Sequence, residues 1–151
     1  MFEFVACLLV VLLAAGLGGL AGPNSWYGTL RKPRWMPPAW VFSLVWTPLY
    51  ALMGVALWLD WQIRDPEVRT PVLVAFAMQL ALNVAWSWLF FRFRWPGIAL
   101  AELVALWFGV LLTTTWSYGA VPLAGFFMAP YLVWVTFAMA LNFRVWWLNR
   151  D

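Results

Sequence analysis

The sequence predicts an all-α membrane protein, organised as a single bundle of five transmembrane helices over residues 1–151. The chain is 66% hydrophobic and only 10% charged, with a mean hydropathy of +0.83. A soluble domain is typically about 45–50% apolar with about 25% charge. A water-soluble fold of this size could not bury so much apolar surface. Apolar stretches of roughly 20 residues, the length that crosses a bilayer, recur along the chain.

Five apolar stretches are long enough to be transmembrane helices. Their continuous apolar character favours helices over barrel strands, in which polar and apolar residues alternate over about 10 residues. The predicted spans cover residues 4–21, 40–58, 72–91, 98–116 and 123–147. No low-complexity tract or second domain interrupts them, so we predict one domain.

The first span has small residues after its apolar core, as a cleaved signal peptide does. The positively charged segment that normally precedes such a core is missing, and Glu3 is the only charged side chain before it. The stretch is therefore predicted to be the first transmembrane helix. Cys7, the only cysteine, lies inside it and is predicted to be a small apolar packing residue.

The first connection, residues 22–39, contains nearly all of the unusual segment WYGTLRKPRWMPPAW at positions 26–40. Pro33, Pro37 and Pro38 exclude a continuous helix there. A segment stiffened by proline loses less entropy when it becomes ordered. We therefore predict that it forms a lid whose indoles cover an apolar cavity, with a simple interfacial anchor as the alternative.

Proline positions predict where the later helices begin and bend. Pro71, Pro96 and Pro122 stand at predicted helix starts, where the missing N–H is tolerated. Pro48 and Pro130 fall inside predicted spans, where each frees a backbone carbonyl and can bend its helix. The charged segment 60–70, which includes Asp60, is predicted to be the second connection.

Polar side chains within the third span mark a face that should turn into the bundle. Gln79, Asn83 and Ser87 recur at intervals of four residues, which places them on one side of a helix at membrane depth. They are expected either to form hydrogen bonds between helices or to line a ligand cavity.

Glu102 is the only acid well inside a predicted span. An ion pair with Arg92 or Arg94, or hydration at the interface, is the expectation, and a proton or substrate role is the alternative. Nothing else in the sequence forms a proton relay with it.

Small residues recur every four positions on the third and fourth predicted helices. They indicate close helix contacts, which could form inside the bundle, as we expect, or against a second copy. The two stripes are Ala77, Ala81 and Ala85, and Gly97, Ala101, Ala105 and Gly109.

The basic residues predict the orientation in the membrane. When the connections are assigned to alternate faces, seven of the nine share one side, whereas Arg64 and Arg69 lie on the other. By the positive-inside rule, the seven-residue side is cytoplasmic, which places the N-terminus outside and the C-terminus in the cytoplasm. The seven are Arg31, Lys32, Arg34, Arg92, Arg94, Arg144 and Arg150.

The chain contains no histidine. A Ser-His or Cys-His dyad, an imidazole proton shuttle and an imidazole ligand for zinc or haem iron are therefore excluded. We expect no metal site, no required cofactor and no conventional hydrolytic chemistry.

Most of the 14 tryptophans lie near predicted membrane edges, where an amphipathic indole is well accommodated. Trp46 and Trp134 lie deeper, beside Pro48 and Pro130. Flat indoles beside a widened gap suit a flat, apolar, conjugated ligand that stacks on them. The other two deep tryptophans are Trp86 and Trp107.

Three segments of this sequence resemble the signature segments of the TspO/MBR family of tryptophan-rich sensory proteins, which includes the mitochondrial translocator protein. They are WYGTLRKPRWMPPAWVFSLVWTPLY, QLALNVAWSWLFF and PLAGFFMAPYLVWVTFAMALNFRVWWLN. The resemblance runs over essentially the whole chain in the same order. It implies a five-helix bundle, often a homodimer, with a pocket that the loop after the first helix closes on one side.

The resemblance also implies a ligand class and a set of pocket residues. The family binds porphyrins such as protoporphyrin IX, and members also bind sterols and synthetic benzodiazepine or isoquinoline ligands. Without histidine, a porphyrin would be held by stacking and shape, and a haem would need Tyr, Met or Cys as its ligand. The pocket carries over to Trp26, Tyr27, Trp35, Pro38, Trp46, Tyr50, Asn83, Ser87, Trp134, Phe137, Ala138 and Leu141.

Two positions depart from the family's pattern. Pro48 stands where a residue with a backbone N–H is expected, so the pocket could differ in shape. The sterol-recognition pattern of the fifth helix is degenerate. Leu141 is followed by Phe143 in place of the tyrosine, and after this position Arg144 is too close and Arg150 slightly too far.

The resemblance therefore implies a membrane receptor that binds tetrapyrroles and takes part in their sensing, transport or disposal. One alternative is an enzyme that degrades porphyrin in light, with Trp46 and Trp134 as redox-active residues. The other is a lipid or sterol transporter.

Overall fold

A computed structural model describes residues 1–150 of the chain, and in this range it consists of helices and short connections. Five helical segments are long and apolar enough to cross a membrane, which confirms the predicted fold of a multi-pass membrane protein. The helices are α1 (Phe2–Gly19), α2 (Ser25–Thr29), α3 (Ala39–Trp61), α4 (Pro66–Ser87), α5 (Pro96–Ala120) and α6 (Pro122–Leu148). A π-helical turn, Trp88–Arg92, extends α4.

The five long helices form one bundle around a shared core. α1 packs against α3 and α4, α3 also packs against α6, and α5 lies between α4 and α6. Met53, Phe76, Met128 and Tyr131 are fully buried at the centre. At Gly125 an added Cβ would collide with the backbone and Cβ of Tyr118, so α5 and α6 can meet there only around a glycine.

The helix starts at Pro96 and Pro122 and the internal positions of Pro48 and Pro130 are confirmed. The predicted start at Pro71 is wrong, because α4 begins at Pro66 and carries Pro71 inside. Asp65 caps this helix by accepting a hydrogen bond from the N–H of Glu67 at 2.9 Å. Pro71 is exposed, so water can reach the carbonyl that its missing N–H leaves free.

The predicted connection 60–70 is correspondingly wrong. It shortens to residues 62–65, because α3 continues to Trp61 and takes Asp60 into the bundle. Asp60 is fully buried, although its charge and its charged neighbours in the sequence suggested a solvated turn.

The two small-residue stripes lie only partly in the interior. Ala77 and Ala81 on α4 and Ala101 and Ala105 on α5 are exposed, whereas Gly97 packs against Trp146 of α6 and Gly109 against Gln79 of α4. The exposed alanines leave contact with a second copy as a prediction.

The bundle has two ends that differ in charge. The first connection (residues 20–38, called the lid), residues 93–95 and the C-terminal end share one end, called the lid end. Hydrogen bonds confirm this, because Asn24 Nδ2 donates to the carbonyl of Phe91 at 2.9 Å and the N–H of Arg31 donates to Asn149 Oδ1 at 2.9 Å. The opposite end, called the N-terminal end, contains the contact between Gln62 Nε2 and Glu3 at 2.8 Å. The clustering of basic residues at the lid end therefore follows the prediction, whereas the side of the membrane it faces stays a prediction.

Candidate functional site

A cavity of about 680 Å³ lies at the lid end of the bundle. Its volume falls within the range of roughly 300–1,000 Å³ that is usual for small-molecule sites. The walls come from α1, α3, α4 with its π-helical turn, and α6, and the lid covers the opening. Most of the lining is apolar, with aromatic side chains from Tyr27, Phe42, Trp46, Tyr50, Trp86, Phe90 and Phe91.

Trp46 forms the aromatic wall contributed by α3. Its ring stacks on Tyr50, with a centroid distance of 5.1 Å and an interplanar angle of 22°. Trp134 of α6 meets Trp46 edge to face at 6.3 Å but does not line the cavity. The two deep indoles are thus in contact, and Trp46 is the one that faces the cavity.

A hydrogen-bond network fixes the inner wall. The Tyr50 hydroxyl donates to Asn83 Oδ1 at 3.0 Å, and Asn83 Nδ2 donates to the Tyr131 hydroxyl at 2.8 Å. One amide side chain thereby connects α3, α4 and α6 at membrane depth, where an unpaired polar group is costly. The predicted inward face is confirmed, since Gln79 and Asn83 are buried and Ser87 lines the cavity.

A second network closes the wall near the lid. Trp86 Nε1 donates to Asn142 Oδ1 at 3.1 Å, and Asn142 Nδ2 donates to the carbonyl of Pro96 at 2.9 Å. Sequence reasoning missed Asn142, although it is the only polar uncharged residue within the last three turns of α6. That isolated polarity in an apolar helix was the available signal.

Hydrogen bonds fasten the lid at both of its ends. Asn24 holds the beginning by bonding the carbonyl of Phe91 in the π-helical turn. Asn149 holds the later part, because it accepts from the N–H of Arg31 and donates to the carbonyls of Arg31 at 2.9 Å and Val145 at 2.7 Å. Neither asparagine was predicted, since their roles depend on backbone groups remote in sequence.

Lys32 and Tyr27, on the inner side of the lid, form a polar edge of the cavity. Lys32 Nζ donates to the backbone carbonyl of Tyr27 and lies 4.4 Å from the centroid of its ring. Burial raises the pKa of the Tyr27 phenol above its usual value, so this hydroxyl remains protonated at neutral pH. Among the lining residues in the described part of the chain, Lys32 alone carries a charge.

Seven of the twelve site residues line the cavity and five do not. Trp26 packs on Phe90 at 6.1 Å, and Trp35 packs on Phe137 at 5.9 Å, so both lie beside the lining. Pro38, Trp134 and Phe137 are also outside it. The seven that line it are Tyr27, Trp46, Tyr50, Asn83, Ser87, Ala138 and Leu141.

The three residues of the sterol-like pattern lie on different faces of α6. Leu141 is buried and lines the cavity, whereas Phe143 and Arg144 are exposed on the outer surface. These side chains therefore cannot act together on a ligand inside the cavity.

The ion pair expected for Glu102 does not form. Both of its carboxyl oxygens are buried and have no hydrogen-bond partner among residues 1–150. The same residues contain no group of three His, Cys, Asp or Glu side chains that could hold a metal ion.

Comparison with known proteins gives one consistent result. The model of the TspO/MBR family matches residues 4–148. The chain is 37% identical to protein CrtK of Rhodobacter capsulatus, over 97% of this chain and 89% of that protein. It is 39% identical to the tryptophan-rich protein TspO of Chlorobaculum tepidum (96% and 95%) and 40% identical to the human translocator protein (89% and 85%).

We expect Asn149→Ala to loosen the lid without altering the cavity walls. Amide hydrogen exchange of residues 24–38 in the ligand-free protein should rise about 30-fold, because the lid loses two hydrogen bonds worth roughly 1 kcal/mol each. Arg150→Ala is the matched control, since Arg150 stacks on Trp147 and contacts no lid residue by hydrogen bond. Equal lid exchange in the two variants would contradict the role of Asn149.

Proposed function

The chain belongs to the TspO/MBR family, and from that premise we propose that it is an intramembrane receptor for porphyrins of the protoporphyrin IX class. In this role it takes part in sensing, transporting or disposing of tetrapyrroles. The observation that carries the proposal is the apolar cavity with an indole stacked into its wall and a cation at its edge.

The apolar and aromatic lining suits the macrocycle. A flat conjugated ring gains from burial against Trp46 and Phe90, which present large apolar faces at little cost in side-chain entropy. Few lining groups are polar, so a polar guest would leave its own hydrogen bonds unmet in this environment. The cavity therefore favours a flat, largely apolar molecule.

Charge at the lid end suits the carboxylates of such a ligand. Lys32 reaches the cavity, and Arg31 and Arg34 are exposed on the lid beside it. A ligand whose ring lies between α3 and α6 can direct its acidic groups toward this edge. Charge-assisted hydrogen bonds to carboxylate are stronger than neutral ones.

A second candidate function is light-dependent porphyrin degradation, and a line of aromatic contacts supports it. The contacts run from Trp46 to Trp134, from Trp134 to Phe137 and from Phe137 to the exposed Trp35. The distances between their ring centroids are 6.3, 5.3 and 5.9 Å, respectively. An electron passed from Trp46 to a light-excited porphyrin would give a porphyrin radical anion and an oxidised indole, which Trp134 can reduce. Combination of the radical anion with dissolved O2, followed by return of the electron to the oxidised tryptophan, would add both oxygen atoms to the ring and break one of its carbon–carbon bonds.

Trp46→Leu should weaken porphyrin binding about tenfold, the equivalent of ~1.4 kcal/mol, because it removes the stacking face. Trp134→Leu should have a smaller effect, since that indole lies behind the wall. Binding is best followed by the porphyrin's own absorbance, because 14 tryptophans make intrinsic fluorescence ambiguous. Equal affinities for wild type and Trp46→Leu would refute this placement of the ring.

Lys32→Met should weaken binding of protoporphyrin IX several-fold but leave its dimethyl ester unaffected. The ester has no free carboxylate, so it cannot use the cation. Arg69→Met, at the N-terminal end, is the control and should leave both affinities unchanged. A comparable loss for acid and ester would show that Lys32 acts through packing alone.

Illumination tests the second candidate. A mixture of protein and protoporphyrin should bleach in light and yield a new pigment, and Trp46→Phe should abolish the effect. Trp134→Phe should slow it, because reduction of the oxidised Trp46 is then less efficient. An unchanged absorbance spectrum of the illuminated wild-type mixture removes this function.

A further inference from the structure

Asp60 occupies a buried site at the N-terminal end of the bundle, remote from the cavity and the lid. Its exposed fraction is 0%. The Ser117 hydroxyl of α5 donates a hydrogen bond to Asp60 Oδ2 at 2.7 Å. The other oxygen, Oδ1, is buried and has no hydrogen-bond partner. No part of the proposed receptor function uses this group.

No neighbouring cation compensates a charge on Asp60. The elements at this end carry the following ionisable groups: the N-terminal amine and Glu3 at α1, Arg64 and Asp65 in the connection, Glu67 and Arg69 on α4, and Tyr118 on α5. Arg69 is half-buried and lies over the Trp61 ring at 5.8 Å, and the others are exposed. None of them donates a hydrogen bond to Asp60, and the nearby start of α6 carries no ionisable group.

A carboxylate in this position would be strongly disfavoured. Removal of an isolated charge from water costs far more than one hydroxyl hydrogen bond returns, so a buried acid without a cation partner takes up a proton. The neutral acid fits the site, since it retains the bond to Ser117 and joins α3 to α5. Acids within a membrane bundle commonly mark proton sites.

The position of Asp60 near the end of its helix gives its proton a short route to the protein surface. Asp60 is in the last turn of α3, and the next residues, Trp61 and Gln62, are exposed at the surface. Only a local separation of the ends of α3 and α5 is needed for water to reach Oδ1. Such local openings require much less free energy than global unfolding.

We propose that Asp60 is a proton-binding site whose neutral form holds α3 against α5 and whose ionisation opens the N-terminal end of the bundle. The closed contact is present at low pH. It is lost as the pH rises, because the carboxylate must be hydrated. The site is independent of the cavity and of what the cavity binds.

Hydrogen exchange of the ligand-free protein as a function of pH tests the opening. Rates are normalised to the intrinsic chemical rate at each pH. Residues 57–63 and 113–121 should be protected at acid pH and lose protection at alkaline pH in the wild type. Asp60→Asn, which is isosteric and uncharged, should stay protected throughout, whereas Glu67→Gln, an exposed acid at the same end, should behave as the wild type. Identical pH profiles for the wild type and Asp60→Asn would overturn the proposal.

Infrared spectroscopy of the wild-type protein provides a test that does not depend on production of the variant. At mildly acid pH, where exposed carboxyls are already ionised, the spectrum should contain a protonated carboxyl stretch that weakens as the pH rises. Asp60→Asn should remove one component of this band, and that component should remain in Glu102→Gln, which removes the other buried acid. A wild-type spectrum with no protonated carboxyl at mildly acid pH, or the same band in the wild type and Asp60→Asn, would rule the site out, whether or not the cavity binds porphyrin.

Discussion

Hydrogen bonding by three asparagine side chains holds separate elements of this structure together. In an apolar bundle an unmet hydrogen bond is costly, and each of these three amides has partners on other elements. Asn83 connects three helices at the inner wall, Asn142 connects α6 to α4 and to the start of α5, and Asn149 connects α6 to the lid. These hydrogen bonds thus position the inner wall and the lid, and with them the cavity that lies between.

Hydropathy was sufficient to predict the number and order of the long helices, because each crosses the bundle as one continuous apolar stretch. Helix ends were less predictable where charge was used as the guide. Asp60 looked like part of a solvated turn and is instead inside α3, because a hydroxyl on a distant helix meets it. The π-helical turn Trp88–Arg92 had no signal in the sequence, since its path depends on how Phe90 and Phe91 pack.

Within the site, the positions on α3 and α4 were the most predictable. The interval of four residues from Gln79 to Ser87 fixed a face, and that face is internal. The positions of Trp26, Trp35 and Trp134 relative to the cavity depended on side-chain packing between separate elements, which neither spacing nor resemblance supplies. The exposed alanines of α4 and α5 illustrate the same limit, because periodicity identifies a face but not the direction in which it points.

The asparagine near the end of α6 has a practical consequence for experiments on this protein. Asn149 holds the lid from the position that follows α6, so a fluorescent protein or affinity tag attached close to it would act directly on these hydrogen bonds. A label attached beside the exposed Met1 and Phe2, at the N-terminal end of the bundle, would leave the lid undisturbed. Rates of lid opening measured with the two labelling designs are therefore not interchangeable.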